Sequence, residues 1–273
     1  MTNPSYKLLV VDIDGTLLNK NGAVSPEDKK ALSQARSLGI QVSLSTGRVV
    51  NACLEILRQL SLDGYHIFFD GALVYNPAEV QEVYVEPISE ELVRQMVDFA
   101  RRNEINLELF STNHFFIERE TWVTDIRRRF FGLEPTIVDF ARLRQDEKII
   151  KGGLVVSSEE EKARANDLCL HFKNRLNFSL TRTPAYPDID FYNVVAADVS
   201  KGKALAALAS FLGIPLTEVM AIGDGANDIP LLASAGLAVA MGNAPEELKA
   251  VADDVTLDVD HSGVAAAINR FLL

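Results

Sequence analysis

Four acidic residues in two short runs, one near each end of the chain, carry the strongest chemical signal. Asp12 and Asp14 stand in Asp12-Ile13-Asp14-Gly15-Thr16, and Asp224 and Asp228 stand in Gly223-Asp224-Gly225-Ala226-Asn227-Asp228. Carboxylates brought to one place repel each other unless a cation sits among them. No His or Cys accompanies them, so an ion that prefers oxygen ligands, Mg²⁺, suits the group best. Thr46, in Ser45-Thr46-Gly47-Arg48, offers a neutral donor, and Lys201 offers a positive charge. Together they suit a phosphoryl group that bridges the metal. Gly15, Gly47 and Gly225 allow backbone N–H groups to come close to an anion. Metal and lysine would remove the repulsion between a carboxylate and a phosphate dianion, which makes Asp12 a reasonable nucleophile. Asp14 is then placed to protonate the leaving oxygen, and afterwards to deprotonate the water that cleaves the aspartyl-phosphate.

These residues need a scaffold that converges them. Leu8-Leu9-Val10-Val11 is a short apolar run that stops at Asp12, as a strand buried on both faces would. Ser25-Pro26-Glu27-Asp28 has the cap, proline and acids of a helix start, and Gly39 marks the stop. A second strand over 40–44 ends at Ser45-Thr46, and a third over 66–69 ends at Asp70-Gly71. After about residue 195 the alternation returns, with a helix ending at Gly213 and a strand over 218–222 ending at Gly223-Asp224. Strands alternating with helices predict a Rossmann-like, doubly wound parallel sheet, an α/β core. Open sheets of this kind bind ligands beyond the carboxyl ends of their strands. Between these stretches the rhythm changes to helices mixed with hairpin-like strands, which predicts an inserted α+β unit. The expected boundaries are residues 1–82 and 188–273 for the core and 83–187 for the insert.

Composition narrows the function classes. The chain has 273 residues, 27 Lys and Arg against 38 Asp and Glu, and a net charge of −11. An acidic surface disfavours a nucleic-acid or membrane partner held by charge. The longest apolar stretch, 231–241, is too short to span a bilayer. Cys53 and Cys169 form no framework, which fits a reducing, cytoplasmic compartment.

The same runs resemble the motifs of a known family, the haloacid dehalogenase superfamily. Asp12-Ile13-Asp14-Gly15-Thr16 is similar to its first motif and Ser45-Thr46-Gly47-Arg48 to its second in the Cof-type branch. Ser200-Lys201-Gly202 resembles the third, and the run from Gly223 to Pro230 resembles the fourth. Met241-Gly242-Asn243-Ala244 and Ser262-Gly263-Val264 are also similar to Cof-type stretches. Four motifs in order make a specific signal where one alone would be weak. The resemblance covers roughly 6–76 and 195–273, and the insert matches a type C2B cap only in position and size. It implies a Mg²⁺-dependent phosphatase of subfamily IIB acting on small phosphorylated metabolites. Asp12 would be nucleophile and metal ligand. Asp14 would be general acid/base and bind Mg²⁺ through its backbone carbonyl. Asp224 would be the third protein ligand, with Asp228 behind it. The backbone at Ile13 would hold phosphate together with Thr46, Gly47, Lys201 and Asn227. The cap would act as a lid and set specificity.

One departure from the family pattern bears on the site: Asp70 stands where Asn is usual. Asp before Gly is a common turn pair, so capping the turn at Gly71 is the expected role, with contact to substrate as the alternative. Arg48 reads as an ion-pairing residue and Arg127-Arg128-Arg129 as a solvated helix face. Two further functions fit the carboxylate, Thr and Lys set. A phosphomutase has the same acid/base needs. A phospho-receiver module uses similar groups, but without an acid two residues after the phosphorylated Asp or so long an insert. A dehalogenase needs neither the metal nor Asp14.

Overall fold

The computed structural model describes residues 6–132, 134–143, 147–183 and 186–273. They form two compact units, one from the chain up to Arg48 with Cys53–Tyr84 and Ser200–Leu273, the other from Val49–Ala52 and Val85–Val199. In chain order the strands are β1 (Leu8–Asp12), β2 (Gln41–Ser45), β3 (His66–Phe68), β4 (Leu73–Asn76), β5 (Gln81–Val85), β6 (Leu107–Phe110), β7 (Phe115–Ile117), β8 (Thr136–Ile137), β9 (Lys151–Val156), β10 (Leu176–Thr183), β11 (Tyr186–Ala196), β12 (Val219–Gly223), β13 (Leu237–Ala240) and β14 (Asp254–Val255).

The first unit is an α/β core around a sheet of order β14-β13-β12-β1-β2-β3-β4-β5. From β14 through β3 neighbouring strands run parallel, and β4 turns back antiparallel on β3. All five residues of β1 are buried. Leu8 and Val10 pack with Leu205, Leu208 and Ala221, while Leu9 and Val11, by the two-residue alternation of a strand, meet the opposite side. This is the reason for an unbroken apolar run rather than an alternating one.

The first helix, Pro26–Ser37, begins as its residues dictate. Ser25 caps it by accepting from the Asp28 N–H at 3.0 Å, and Pro26 takes the first helical position. Asp28 is buried, and its Oδ1 accepts from the Ala265 N–H at 2.7 Å, tying this helix to the last one, Gly263–Phe271. The helix expected to end at Gly213 runs from Lys201 to Leu212, capped by Ser200, whose hydroxyl accepts from the Lys203 N–H.

The second unit carries a sheet of order β10-β11-β9-β6-β7-β8. The helices Glu90–Arg102 and Glu159–Phe172 share its core through Met96, Val97, Leu168 and Phe172, packed with Leu109 and Leu154 of the sheet. Both start at serine caps, and Ser158 forms a full capping box with Glu161.

Two expectations need correction here. The insert does not end at residue 187. β11 pairs with β9 from Asp190 opposite Val156 to Val194 opposite Gly152, so the segment assigned from 188 to the core lies in the smaller sheet up to Ala196 and in the second unit up to Val199. A long hairpin whose second strand is central to its sheet buries Phe191, Val194 and Val195 there. Arg127 is not on a solvated face. It is buried and donates from Nε to the equally buried Glu108 at 3.1 Å. Among the described residues no helix is long and apolar enough to cross a membrane.

Candidate active site

The chain leaves β1 toward β2 and β3 on one side, and later places β12, β13 and β14 on the other. The strand order therefore reverses beside β1, and ligands of open α/β sheets bind in the crevice at such a point. Asp12 is the last residue of β1, Thr46 directly follows β2, and Asp224 directly follows β12. Asn227 and Asp228 come from the single turn Ala226–Asp228, and Lys201 from the first position of its helix.

Lys201 is the charge at the centre. Its side chain is 1% exposed, and Nζ donates to Asp12 Oδ1 at 2.5 Å and to Asp228 Oδ1 at 2.6 Å. Burial alone would push the ammonium down, but the carboxylates of Asp12, Asp228 and Asp70 raise it well above the ordinary lysine range. Lys201 is therefore a fixed cation.

Asp12, Asp224 and Asp228 each present a carboxylate oxygen, and the three oxygens lie within 4.8 Å of one another. Burial, then the Asp228 charge, pushes Asp12 upward against the pull of Lys201. Asp224 is pushed up to about 6, first by burial, with a Thr16 hydrogen bond opposing and the Asp228 charge adding to the rise. Two of these carboxylates share the lysine and the third has none, and the remaining negative charge is what a bound cation would relieve.

The other expected residues occupy defined places. Asp228 is wholly buried, and its Oδ2 accepts from the N–H groups of Asp224 and Gly225 at 3.1 and 3.0 Å. It thus shapes the loop that carries Asp224 as well as holding Lys201. The Thr46 hydroxyl accepts from the Arg48 N–H at 3.1 Å, and among the described residues no group accepts from its own O–H. The Ile13 side chain is buried, and its carbonyl accepts from the N–H groups of Leu17 and Leu18, which fixes the turn after β1. Gly47 lies against the Asp70 carboxylate.

Asp14 does not join the carboxylate cluster through its side chain. Arg48 holds it with both Nε, at 2.8 Å, and a terminal nitrogen. Asp70 also departs from expectation. It sits in the turn Phe69–Gly71 at φ 57°, but its side chain neither caps the turn nor faces away: Oδ1 accepts from Asn227 Nδ2 at 2.9 Å.

Two partners of Asp224 escaped the sequence reading. The Thr16 hydroxyl donates to its Oδ1 at 3.0 Å, and Asn243 Nδ2 donates to its Oδ2 at 3.2 Å and to the Gly15 carbonyl at 2.9 Å. Both stand in runs that resemble family motifs, at the end of the first and within Met241-Gly242-Asn243-Ala244. Those runs were the available signal.

The family model for haloacid dehalogenase-like hydrolases matches residues 9–268. The chain is 31% identical to the phosphatase YwpJ of Bacillus subtilis (strain 168), over 97% of this chain and 100% of that protein. It is 27% identical to the 5-amino-6-(5-phospho-D-ribitylamino)uracil phosphatase YcsE of the same organism, over 98% of this chain and 96% of that one. Among solved structures it is similar to the subclass IIB sugar phosphatase BT4131, at 26% identity and a TM-score of 0.75, covering 97% of this chain and 98% of the other. With four motifs meeting on one α/β sheet, the chain belongs to the haloacid dehalogenase-like hydrolases, in their Cof-type subclass IIB branch of phosphatases, and is a phosphoric monoester hydrolase.

Proposed function

We propose that the protein is a Mg²⁺-dependent phosphatase of small phosphorylated metabolites, sugar phosphates or similar phosphomonoesters, working through an aspartyl-phosphate on Asp12. The observation that carries this reading is the Lys201 ammonium, buried and shared between Asp12 and Asp228 beside Asp224. The donor set fits Mg²⁺: its carboxylates are hard oxygen ligands, and no His or Cys belongs to the cluster. Asp12 and Asp224 would hold the ion with the Asp14 backbone carbonyl, while Asp228 braces Lys201 and the Asp224 loop. When bound, Mg²⁺ supplies positive charge against the phosphoryl oxygens.

The chain's own residues then divide the work. Lys201, the Thr46 hydroxyl, the Asn227 amide and the backbone N–H groups at Ile13 and Gly47 bind and orient the phosphoryl group. Asp12 attacks phosphorus with a carboxylate oxygen, and the bond from phosphorus to the leaving oxygen breaks. Asp14 gives that oxygen a proton, for which its carboxyl must leave Arg48. Asp14 then takes a proton from water, whose oxygen attacks phosphorus and breaks the bond to Asp12, releasing inorganic phosphate.

The names of two relatives, a sugar phosphatase and a phosphatase of a phosphoribityl compound, support a phosphorylated polyol or sugar as the substrate class. The test is a phosphate-release screen over sugar, polyol, nucleotide and cofactor phosphates with Mg²⁺. Turnover concentrated in the first two groups supports the reading. Turnover of nucleotides alone contradicts the substrate class, and no release from any member contradicts the activity.

A further inference from the structure

We infer that Asp70 is a positioning residue, which fixes the side-chain amide of Asn227 so that its NH2 group faces the phosphoryl-binding groups. The inference rests on the proposed reading that Asn227 holds the phosphoryl group.

Three observations carry it. Asp70 Oδ1 accepts from Asn227 Nδ2 at 2.9 Å, across 157 positions of sequence. An ionised carboxylate has no proton to donate, so only the NH2 end of an amide can face it. An Asn in the same place could accept from Nδ2 or donate to Oδ1, leaving two amide orientations open. The carboxylate leaves one.

Space is made for the pair on both sides. A Cβ on Gly47 would lie 2.8 Å from each Asp70 carboxylate oxygen, so this position admits the carboxylate because it has no side chain. A Cβ on Gly225 would lie 2.7 Å from Asn227 Oδ1. The oxygen end of the amide thus rests against Gly225, and the nitrogen end points toward Asp70 beside Gly47.

The backbone holds Asp70 in place. It sits at φ 57°, in the left-handed region that Asp and Asn tolerate best among residues with a side chain, and its N–H donates to the Thr46 carbonyl at 3.0 Å. The loop after β3 is therefore latched to the loop after β2, and its carboxylate reaches across to the turn after β12. Of the two Asn227 N–H groups, one is spent on Asp70, and among the described residues none accepts the other. That second N–H is the one left for a phosphoryl oxygen.

The carboxylate also brings negative charge close to Lys201 and to where a phosphate dianion would bind. Charge and positioning predict opposite effects of removing the side chain. Loss of charge alone tightens phosphate binding, whereas loss of positioning weakens it.

A double-mutant cycle separates these. Asp70→Gly suits the left-handed backbone. Asp70→Ser, too short to reach Nδ2, stands in should the glycine variant fail to fold. The wild type, Asp70→Gly, Asn227→Ala, the double variant and Asp70→Asn are compared by kcat and KM for p-nitrophenyl phosphate and by competitive inhibition with inorganic phosphate. Asn227→Ala should raise KM and the phosphate inhibition constant. Asp70→Gly should raise both by about 3- to 10-fold, the worth of one hydrogen bond, with kcat changed much less. The double variant should match Asn227→Ala alone, and Asp70→Asn, which keeps an acceptor but also allows the flipped amide, should recover only part of the loss. Effects that multiply in the double variant, or an Asp70→Gly variant that binds phosphate as tightly as wild type or tighter, overturn the inference and leave the phosphate site standing. An Asn227→Ala variant with unchanged phosphate inhibition overturns the reading of Asn227, and this inference with it.

Discussion

Asp14 and Arg48 face each other as a two-point ion pair, with Arg48 Nε 2.8 Å from Asp14 Oδ2 and a terminal nitrogen on Oδ1. The acid proposed to move protons thus rests on a guanidinium, while its neighbour two residues earlier rests on a lysine. The two carboxylates start from different partners, and this suits different tasks.

Separating those tasks is the first prediction. Asp12→Asn should leave essentially no turnover, because the attacking oxygen is gone. Asp14→Asn should lower kcat by roughly 10²–10⁴-fold, the usual loss for a general acid/base. Leaving groups of low pKa, such as p-nitrophenol, should suffer less than a sugar alcohol because they need less protonation. Equal loss across leaving groups in single-turnover formation of the aspartyl-phosphate would remove Asp14 as the acid for the leaving oxygen.

Metal dependence is the second. EDTA should abolish phosphate release, and added Mg²⁺ should restore it. Asp224→Asn should raise the Mg²⁺ concentration needed for half-maximal rate more than Asp228→Asn does, because Asp228 is engaged by Lys201 and two backbone N–H groups. A titration of rate against Mg²⁺ with both variants checks the order. Full activity after exhaustive chelation would contradict the metal outright.

Lys201 gives a prediction about stability. Replacing it with Met leaves Asp12 and Asp228 buried without their cation. Breaking a buried ion pair by removing one partner costs about 3–5 kcal/mol. In metal-free buffer the denaturant midpoint of Lys201→Met should fall accordingly, with activity lost. An unchanged midpoint would mean that the two carboxylates find other relief.

His66 sets a pH dependence of stability. It is fully buried, its Nδ1 accepts from the Leu44 N–H at 3.1 Å, and its Nε2 has no partner among the described residues. Burial pushes the imidazole down to about 4, against a weaker opposing pull from Asp63. The unfolded chain binds this proton at about 6.5, so between those values the unfolded state carries more protons. The contribution is complete above about pH 6.5 and is lost as pH falls toward 4. Its full size is about 3 kcal/mol, at about 1.4 kcal/mol per unit. Urea unfolding of wild type and His66→Gln across pH 4–7 should show a shallower slope in the variant, and identical slopes would count against it.

Several elements are legible in the sequence because their signals are local. Ser25-Pro26 began a helix where cap and proline said it would, and the apolar run before Asp12 became a central strand. β4, which ends at Asn76 in the turn-prone pair Asn76-Pro77, is not legible from the sequence, and neither is the length of the β10–β11 hairpin. Short strands flanked by turn residues carry little periodicity of their own, and pairing with a neighbour decides them.

The sequence by itself determined the parallel α/β class, the existence of an insert and which motif residues are the candidates for the proposed chemistry. Motif residues sit at strand ends, so their identities and the strands' apolar runs can be read from adjacent positions. Only the tertiary structure decided the partners: Lys201 with Asp12 and Asp228, Asp14 with Arg48, Asp70 with Asn227. An acidic side chain can accept from many donors, and its spacing along the chain does not select one. Strand order and turn conformation do, because they fix which donors arrive within about 3 Å, the reach of a hydrogen bond.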